Sequence, residues 1–428
     1  MPNKETPTAF GLALFVCAGL SPACNGWRDP ISGHRVCRAA PPAIASWSRP
    51  GMGRTPGDLA DLEAWVTKHP DAMNAQYGGL CETPLHTAAR LGLEDIAALL
   101  LAHGADPDAD DESGNTPVTT AASYGRVEVM KALLARRVDV NRRGRNGRSP
   151  LVAAVSGLGV ETDSEQRLQV AGILIAAGAD VNAREPSSGL TPLYYAAGMG
   201  TTQSEPMIQL LLAHGADVRA VAMQGVPLLT AAAGSGDRRV VQLLLDRGAD
   251  VNATADQGGT ALSAAAYGGH LEVVLLLLDR GADVNRRVPG SRLHWDGLPL
   301  AAALDPARTR DKSTMVARRE VAELLIARGA DVNVTTYGDE TLLHRAAFEG
   351  DLPGVNFLIS HGAVLSARDG SGSTPLHRAV QAGRFDVAAR LLALGADGRA
   401  AATDGTTPLT LAAGDAEMEA LIRRHGKD

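Results

Sequence analysis

Apolar and polar positions along this chain repeat with a long period rather than a short one. In 83–106 the order T-P-L-H-T-A-A-R-L-G-L-E-D-I-A-A-L-L-L-A-H-G-A-D puts Leu85, Ala88 and Ala89 on one helical face. Ile96, Leu99, Leu100 and Leu101 then make the stripe of a second helix. Thr83 suits an N-cap and Pro84 the first helical position, while Gly92 and Gly104 suit left-handed helix ends. Copies of this unit start at Thr116, Ser149, Thr191, Val226, Thr260, Leu298, Thr341, Thr374 and Thr407. Four of the nine steps are 33 residues, and the others are 34, 35, 38, 42 and 43. Each copy predicts helix, tight turn, helix and extended finger. Such short helices bury their stripes only against neighbouring copies.

Two signatures recur at this period. T-P-L-H stands at 83–86 and 374–377, and in part at 341–344; G-A-D follows at Gly104, Gly178, Gly215, Gly248, Gly281, Gly329 and Gly395. On these residues the chain resembles the ankyrin repeat family. The resemblance implies an all-α fold, an ankyrin-type α-solenoid of stacked helix pairs with short β-hairpin fingers. It also implies a non-catalytic scaffold, with fingers and inner helices forming a concave surface for another protein. The imidazoles of the T-P-L-H slot are structural in that family, bonding to the backbone and the Thr hydroxyl near the finger base.

The domain reading is a signal peptide over 1–23, a disordered linker over 24–56 and a repeat solenoid over 57–428. Within the solenoid, 57–82 reads as an N-terminal half-repeat cap holding one amphipathic helix over 59–69, with Trp65 shielding the first pair. Residues 407–428 read as the C-terminal cap, with a polar last helix that stops the stacking. The apolar run 9–20 is too short to span a bilayer as a helix but fits a secretory signal. Small residues Ser21 and Ala23 precede Cys24, a candidate lipid anchor, although Ser21 stands where that motif wants an aliphatic residue. Secretion or periplasmic export follows from the signal, and the cytoplasm from its absence. An upstream extension with translation starting at Met52 fits the same residues. Of the four cysteines, Cys17 goes with the signal and leaves Cys24, Cys37 and Cys81, an odd set; a Cys24–Cys37 disulfide fits outside the cytosol. A net charge of −7 with 21% charged residues gives no overall basic excess, which argues against nucleic acid as the default partner.

Departures from the repeat say more than matches. Arg137 occupies a helix-ending glycine slot, while Val226, Ala261 and Leu298 weaken the Thr-Pro start of their helices. Inserts at 157–166, 198–206 and 305–314 fall between paired helices and read as surface loops. The finger 285–297 is lengthened and gathers Arg286, Arg287, Arg292, His294 and Trp295 at its tip. A Trp among arginines is the kind of anchor that carries binding energy; the alternative is that Trp295 folds back over Leu293 and Leu298. Arg142, Arg143, Arg145 and Arg148 make another finger basic beside the acidic Asp106, Asp108, Asp110, Asp111 and Glu112. Attraction between tips explains this plainly, and a recognition surface explains it functionally. Tyr77 and Tyr337, on other fingers, complete the candidate partner-binding set.

Catalytic and metal chemistry find little support. His103, His214 and His361 occupy a slot that holds Arg247, Arg280 and Arg328 in other copies, which tells against metal ligation. The G-A-D aspartates lie a repeat apart, too far to pair as acid and base, and read as acceptors of backbone hydrogen bonds that start each finger. No nucleophile elbow, phosphate loop, C-x-x-C or H-E-x-x-H occurs. No enzyme activity, cofactor or metal is therefore expected. Two alternatives remain beside the scaffold: a regulatory arm, or a nucleic-acid-binding module using the basic fingers.

Overall fold

The computed structural model describes residues 56–78, 81–157, 164–198, 204–222, 225–288, 297–305 and 312–425. The signal segment, Cys24, Cys37 and the linker up to residue 55 lie outside the described residues. So do the centres of the three inserts and the finger tip with Arg292, His294 and Trp295. The chain forms two compact units: Met1–Ala196 with Gln203–Asp217, and Ala197–Thr202 with Val218–Asp428.

The first unit opens with α1 (Pro56–Lys68), which begins three residues before the expected helix. Helix pairs follow: α2 (Pro84–Leu91) with α3 (Glu94–Ala102), α4 (Pro117–Ser123) with α5 (Val127–Leu134), and α6 (Pro150–Ser156) with α7 (Ser164–Ala176). Then come α8 (Pro192–Gly198) and α9 (Ser204–Ala213). The second unit pairs α10 (Leu228–Ser235) with α11 (Arg238–Asp246), α12 (Ala261–Gly268) with α13 (Leu271–Asp279), and α14 (Pro299–Ala303) with α15 (Lys312–Ala327). It continues with α16 (Leu342–Glu349) and α17 (Leu352–Ser360), α18 (Pro375–Gln381) and α19 (Phe385–Ala393), and ends with α20 (Pro408–Leu411) and α21 (Ala416–His425).

Within each unit the first, inner helices stack on one another and the second, outer helices do likewise. The seam is dry. Leu85, Ala88, Ala89 and Leu100 are 0% exposed, as are Ala265, Ala266, Val273 and Leu277 in the second unit. Alanines at two successive positions of most inner helices, such as Ala88–Ala89 and Ala265–Ala266, let the next helix approach closely. The N-terminal helix α1 packs on α3 and buries Leu62 and Val66. Trp65 is half-buried and stacks on His69 with ring centroids 5.3 Å apart. At the other end α21 buries Met418, Leu421 and Ile422 and leaves Arg423, Arg424 and His425 in its polar last turn.

The expected β-hairpins are reduced to isolated bridges among the described residues. Tyr77 pairs with Glu82, Val221 with Pro227, Thr254 with Thr260, and Thr335 with Thr341. Side chains hold the fingers where a ladder would otherwise be needed. The G-A-D carboxylates of Asp106, Asp180, Asp250, Asp283 and Asp331 each accept the backbone N–H two residues on, at 2.8–3.0 Å. The asparagine that follows then reaches into the next copy. Asn252 Nδ2 donates to Gly281 O at 3.1 Å and its Oδ1 accepts from Asp283 N–H at 2.8 Å. Asn141, Asn182, Asn285 and Asn333 repeat the same two-sided bond. Finger and neighbouring finger are thereby tied through backbone groups that would otherwise need water.

The inner helices begin as the Thr-Pro pattern predicts, and the histidines complete the start. His86 Nδ1 accepts from Thr83 N–H at 3.3 Å and meets Thr83 Oγ1 at 2.8 Å. That fixes the proton on Nε2, which donates to Asn115 O of the next copy at 2.9 Å. His344 and His377 do the same toward Ser373 O and Thr406 O. Burial holds all three imidazoles below their ordinary value.

Helix ends explain the glycines. Gly92, Gly236 and Gly350 have φ of 76°, 81° and 80°, and a Cβ added there would lie 3.0, 2.5 and 2.9 Å from Arg126, His270 and Arg384. Those side chains cross the glycine and donate to a carbonyl of the preceding copy: Arg126 to Arg90 O, His270 to Gly234 O, and Arg384 to Phe348 O. Arg137, in a glycine slot, does adopt a left-handed φ of 56°, a conformation that costs a non-glycine residue about 1 kcal/mol.

Two expectations on the inserts and one start are corrected. The insert ends are helical rather than loop: α7 has 13 residues and α15 has 16, against nine in α13. In the fifth copy the cap is Pro227, not Val226, and the helix begins at Leu228. Because proline has neither an N–H nor a hydroxyl, the partner slot suffers. Thr230 Oγ1 is buried with no hydrogen-bond partner, whereas Thr119 Oγ1 in the same slot accepts from Thr116 N–H at 2.7 Å.

Pro227→Thr should therefore restore both bonds of the cap. The expected gain is about 1 kcal/mol, net of the roughly 0.4–1 kcal/mol lost to a looser unfolded chain. A urea midpoint that does not rise would show that Thr230 is satisfied in another way. Acid should also weaken the stack through the buried histidines. Their folded values lie below the unfolded one, so the unfolded chain takes up protons first as pH falls. Their contribution is complete above about pH 6.5 and is lost as pH drops through the folded values. Urea midpoints read between about pH 7 and pH 5 should fall, and His86→Gln, His344→Gln and His377→Gln combined should flatten that slope. The depressed carboxylates Glu185 and Asp369 act lower, as pH falls through their own folded values.

Candidate protein-binding surface

Side chains at the finger bases are locked to the inner helices by ion pairs. In the first unit Arg90 lies 3.0 Å from Glu82 through Nε, and its Nη2 donates to the other carboxylate oxygen at 3.1 Å. Glu185 gathers Arg148 at 3.8 Å, the Tyr195 hydroxyl at 2.7 Å and the Ser188 hydroxyl. Burial opposes ionisation of Glu185, but those hydroxyls and Arg148 outweigh it and hold the carboxyl below its usual value. In the second unit Arg378 bridges Asp369 at 2.7 Å and Glu340 at 2.9 Å. Arg345 likewise bridges Asp305 at 3.3 Å and Glu349 at 2.9 Å. Except for Arg345–Glu349, which lies within α16, each pair ties a finger base or turn to a helix, so the surface needs little ordering on binding.

The basic finger is largely spent on its neighbours. Arg142 lies 3.2 Å from the Asp108 carboxylate and donates to Asp108 O at 3.0 Å. Arg145 donates to Asp111 O and Glu112 O, and its backbone N–H to Asp110 Oδ1. Arg143 donates to Gly147 O and Arg184 O, and Arg148 faces Glu185. Burial, and the crowd of Asp106, Asp139 and Asp110, hold Asp108 above its usual value in spite of Arg142. The attraction between tips is thus present as geometry. Exposed pairs of this kind are worth about 0–1 kcal/mol each.

Other candidates divide. Tyr77 is not a surface anchor: it is 8% exposed, and its hydroxyl donates to Ala72 O at 3.2 Å because the ring packs under the first finger. Arg286 and Arg287 are exposed, with Arg287 Nη2 3.5 Å from Thr336 O. Trp295, His294 and Arg292 lie outside the described residues, as does the Tyr337 side chain, whose backbone forms a short turn. One surface residue went unread in the sequence. Phe348, in the last turn of α16, is 49% exposed and is the one aromatic among the exposed large apolar side chains described. Its slot holds Arg90, Ser123 and Gln381 in some copies and Tyr267 in another, so the repeat itself carried no signal for it.

Histidines at the helix ends serve the backbone. His103 Nδ1 lies 2.9 Å from Leu99 O and His361 Nδ1 2.8 Å from Phe357 O. Among the described residues no three His, Cys, Asp or Glu are gathered to hold a metal ion, and no helix is long and apolar enough to cross a membrane. Cys81 is fully buried and disulfide-bonded; the other three cysteines all lie outside the described residues.

A family model described as ankyrin repeats (three copies) matches at residues 57–144, 85–185, 160–255, 204–288 and 314–402. The B-cell lymphoma 3 protein homolog of Mus musculus is 29% identical over 160 residues, which is 37% of this chain and 34% of that protein. The chain thus matches about a third of the length of that curated relative. Among solved structures, the human ASB11 ankyrin repeat domain is similar at 25% identity with a TM-score of 0.45, over 56% of this chain and 99% of that one. The ankyrin repeat domain of Bcl-3, described as a unique member of the IkappaB protein family, is similar at 26% identity and a TM-score of 0.46, over 56% and 98%.

Proposed function

The chain belongs to the ankyrin repeat family, and on that premise we propose that it is a non-catalytic scaffold holding a protein partner on the surface of its fingers and inner helices. One observation carries this reading. The fingers are clamped at their bases by repeated Asp and Asn hydrogen bonds, which leaves tip and inner-helix side chains as a pre-set platform over a sealed apolar seam. The finger arginines, engaged with neighbouring carboxylates and carbonyls, give little support to the nucleic-acid alternative.

Capture of a partner by the immobilised full chain, followed by cross-linking, should place the links on fingers and inner helices. Links confined to the outer helices would refute the reading. In the lengthened finger, Trp295→Ala should lower capture affinity and leave the melting profile unchanged; a large loss of stability would assign the ring to the core instead.

The compartment is part of the proposal. A disulfide at Cys81 supports export by the signal segment, because cytosolic thiols are kept reduced. Intact mass and amino-terminal sequencing of native protein should show a chain lacking residues 1–23, with Cys81 refractory to alkylation until reduced. A native chain that retains Met1 and alkylates at Cys81 without reduction would place it in the cytosol.

A further inference from the structure

The first inner helix is covered on a face where no described element stands. Each inner helix meets the copies on either side of it. His86 of α2 reaches forward, its Nε2 donating to Asn115 O of the next copy at 2.9 Å. In the last copy the same slot holds Thr410, and with no described helix pair beyond it Thr410 is exposed. A layer face without a neighbour is thus open to water in this fold. Pro84 and Ala88 lie opposite His86 around α2. Thr87 stands in the slot of Ala264, which faces backward: a Cβ added to Gly234 of the preceding inner helix would lie 3.8 Å from it. Pro84 is nonetheless buried, Ala88 is 0% exposed and Thr87 is 8% exposed. Among the described residues no inner helix precedes α2, and α1 lies in the outer layer against α3.

Cys81 supplies a second observation. It stands two residues before the Thr83 cap, is 0% exposed and is disulfide-bonded. The other cysteines of the chain are Cys17, Cys24 and Cys37, so its partner lies upstream of α1. Register chooses among the three. In regular copies the residues just before one inner helix bond to the same stretch of the next: Gly370 N–H donates to Gly338 O at 2.8 Å, and Asn146 N–H to Gly114 O at 3.3 Å. Gly114 and Gly370 stand two and four residues before their caps, Thr116 and Thr374. Cys37 stands four residues before Pro41, where P-P-A-I-A-S-W begins. Proline already caps an inner helix at Pro227, and Ala43, Ile44 and Ala45 have the small, apolar character of the inner-helix faces. Cys17 and Cys24 lie too far upstream for that register.

We propose that residues 41–47 supply the missing inner layer of the first copy, packed against Pro84, Thr87 and Ala88, and that a Cys37–Cys81 disulfide latches this layer to the first finger. Residues 48–55, with Pro50, Gly51 and Gly53, make the turn from that layer into α1. The bond forms by exchange with a disulfide of an oxidising compartment, which takes up the two thiol hydrogens and leaves as a dithiol. The stretch before α1 is then a layer of the stack rather than a linker, and a chain begun at Met52 would lack it.

The test uses the oxidised full chain. Non-reducing peptide mapping should recover Cys37 joined to Cys81; a Cys81 that is free, or joined to Cys17 or Cys24, would overturn the proposal. Backbone hydrogen exchange at 84–91 reads the layer itself. Ile44→Ala should speed that exchange about tenfold or more and leave 375–381, in a distant copy, unchanged. Exchange at 84–91 equal to wild type would overturn the proposal. Protection lost alike at 84–91 and 375–381 would assign Ile44 to folding of the whole chain and overturn it too. Neither measurement involves a bound partner, so either failure leaves the scaffold reading standing.

Discussion

A helix of eight or nine residues cannot hold its shape alone in water, and everything in this molecule follows from that constraint. Its apolar stripe has one available cover, the stripe of the next copy. Leu85 and Leu100, or Leu262 and Leu277, reach 0–1% exposure by this route. Stability therefore lies in interfaces between copies, and each copy depends on its neighbours more than on itself. The polar bonds follow the same logic. The buried histidines, the G-A-D asparagines and the arginines crossing the glycine turns all bond from one copy to the next.

This arrangement separates residues that hold the stack from residues left free to recognise. Aspartates and asparagines at the finger bases spend their hydrogen-bonding capacity on backbone, so replacing them would loosen geometry before touching any partner. The arginines are less cleanly divided. Arg142 and Arg145 look like recognition residues in composition, yet their guanidinium groups are bonded across to the acidic finger. Charge on a finger is therefore a poor guide to binding until its neighbours are placed. Phe348 is the opposite case, an apolar ring with no structural duty visible in its exposure.

Much of this was legible from period and motif. The helix pairs, the caps at Thr83 and Thr374, the structural histidines and the left-handed glycines follow from local chemistry at fixed spacing, and they stand where that chemistry puts them. The errors have physical causes. Val226 and Pro227 read equally well as the start of a helix, because a proline can close a cap slot or open a first turn; only the distance back from Gly236 decides. Tyr77 sits on a finger, which makes it a surface candidate, but its ring is 8% exposed and its hydroxyl turns under toward Ala72 O. The inserts carried turn residues yet lengthened α7 and α15, since the stripe of an outer helix extends readily against its neighbours.

Breaks in a repeat say more about how the stack is held than the repeat does, and α14 shows why. Helix α14 has five residues, and the chain between it and α15 carries an insert, so the copy cannot present a full inner helix to α16. The shorter layer is made good by polar groups rather than by an apolar stripe. Leu342 and Asp305 are nonetheless each 5% exposed, and Asp305, Arg345 and Glu349 meet at the turn edge. Arg345 shared between two carboxylates ties the copies across that place, and because the Asp305 charge is already buried, losing the guanidinium would leave it uncompensated. A solenoid tolerates a shortened layer in this way without a new fold. It leaves out part of one layer and closes the place with an ion pair and guanidinium-to-carbonyl bonds instead.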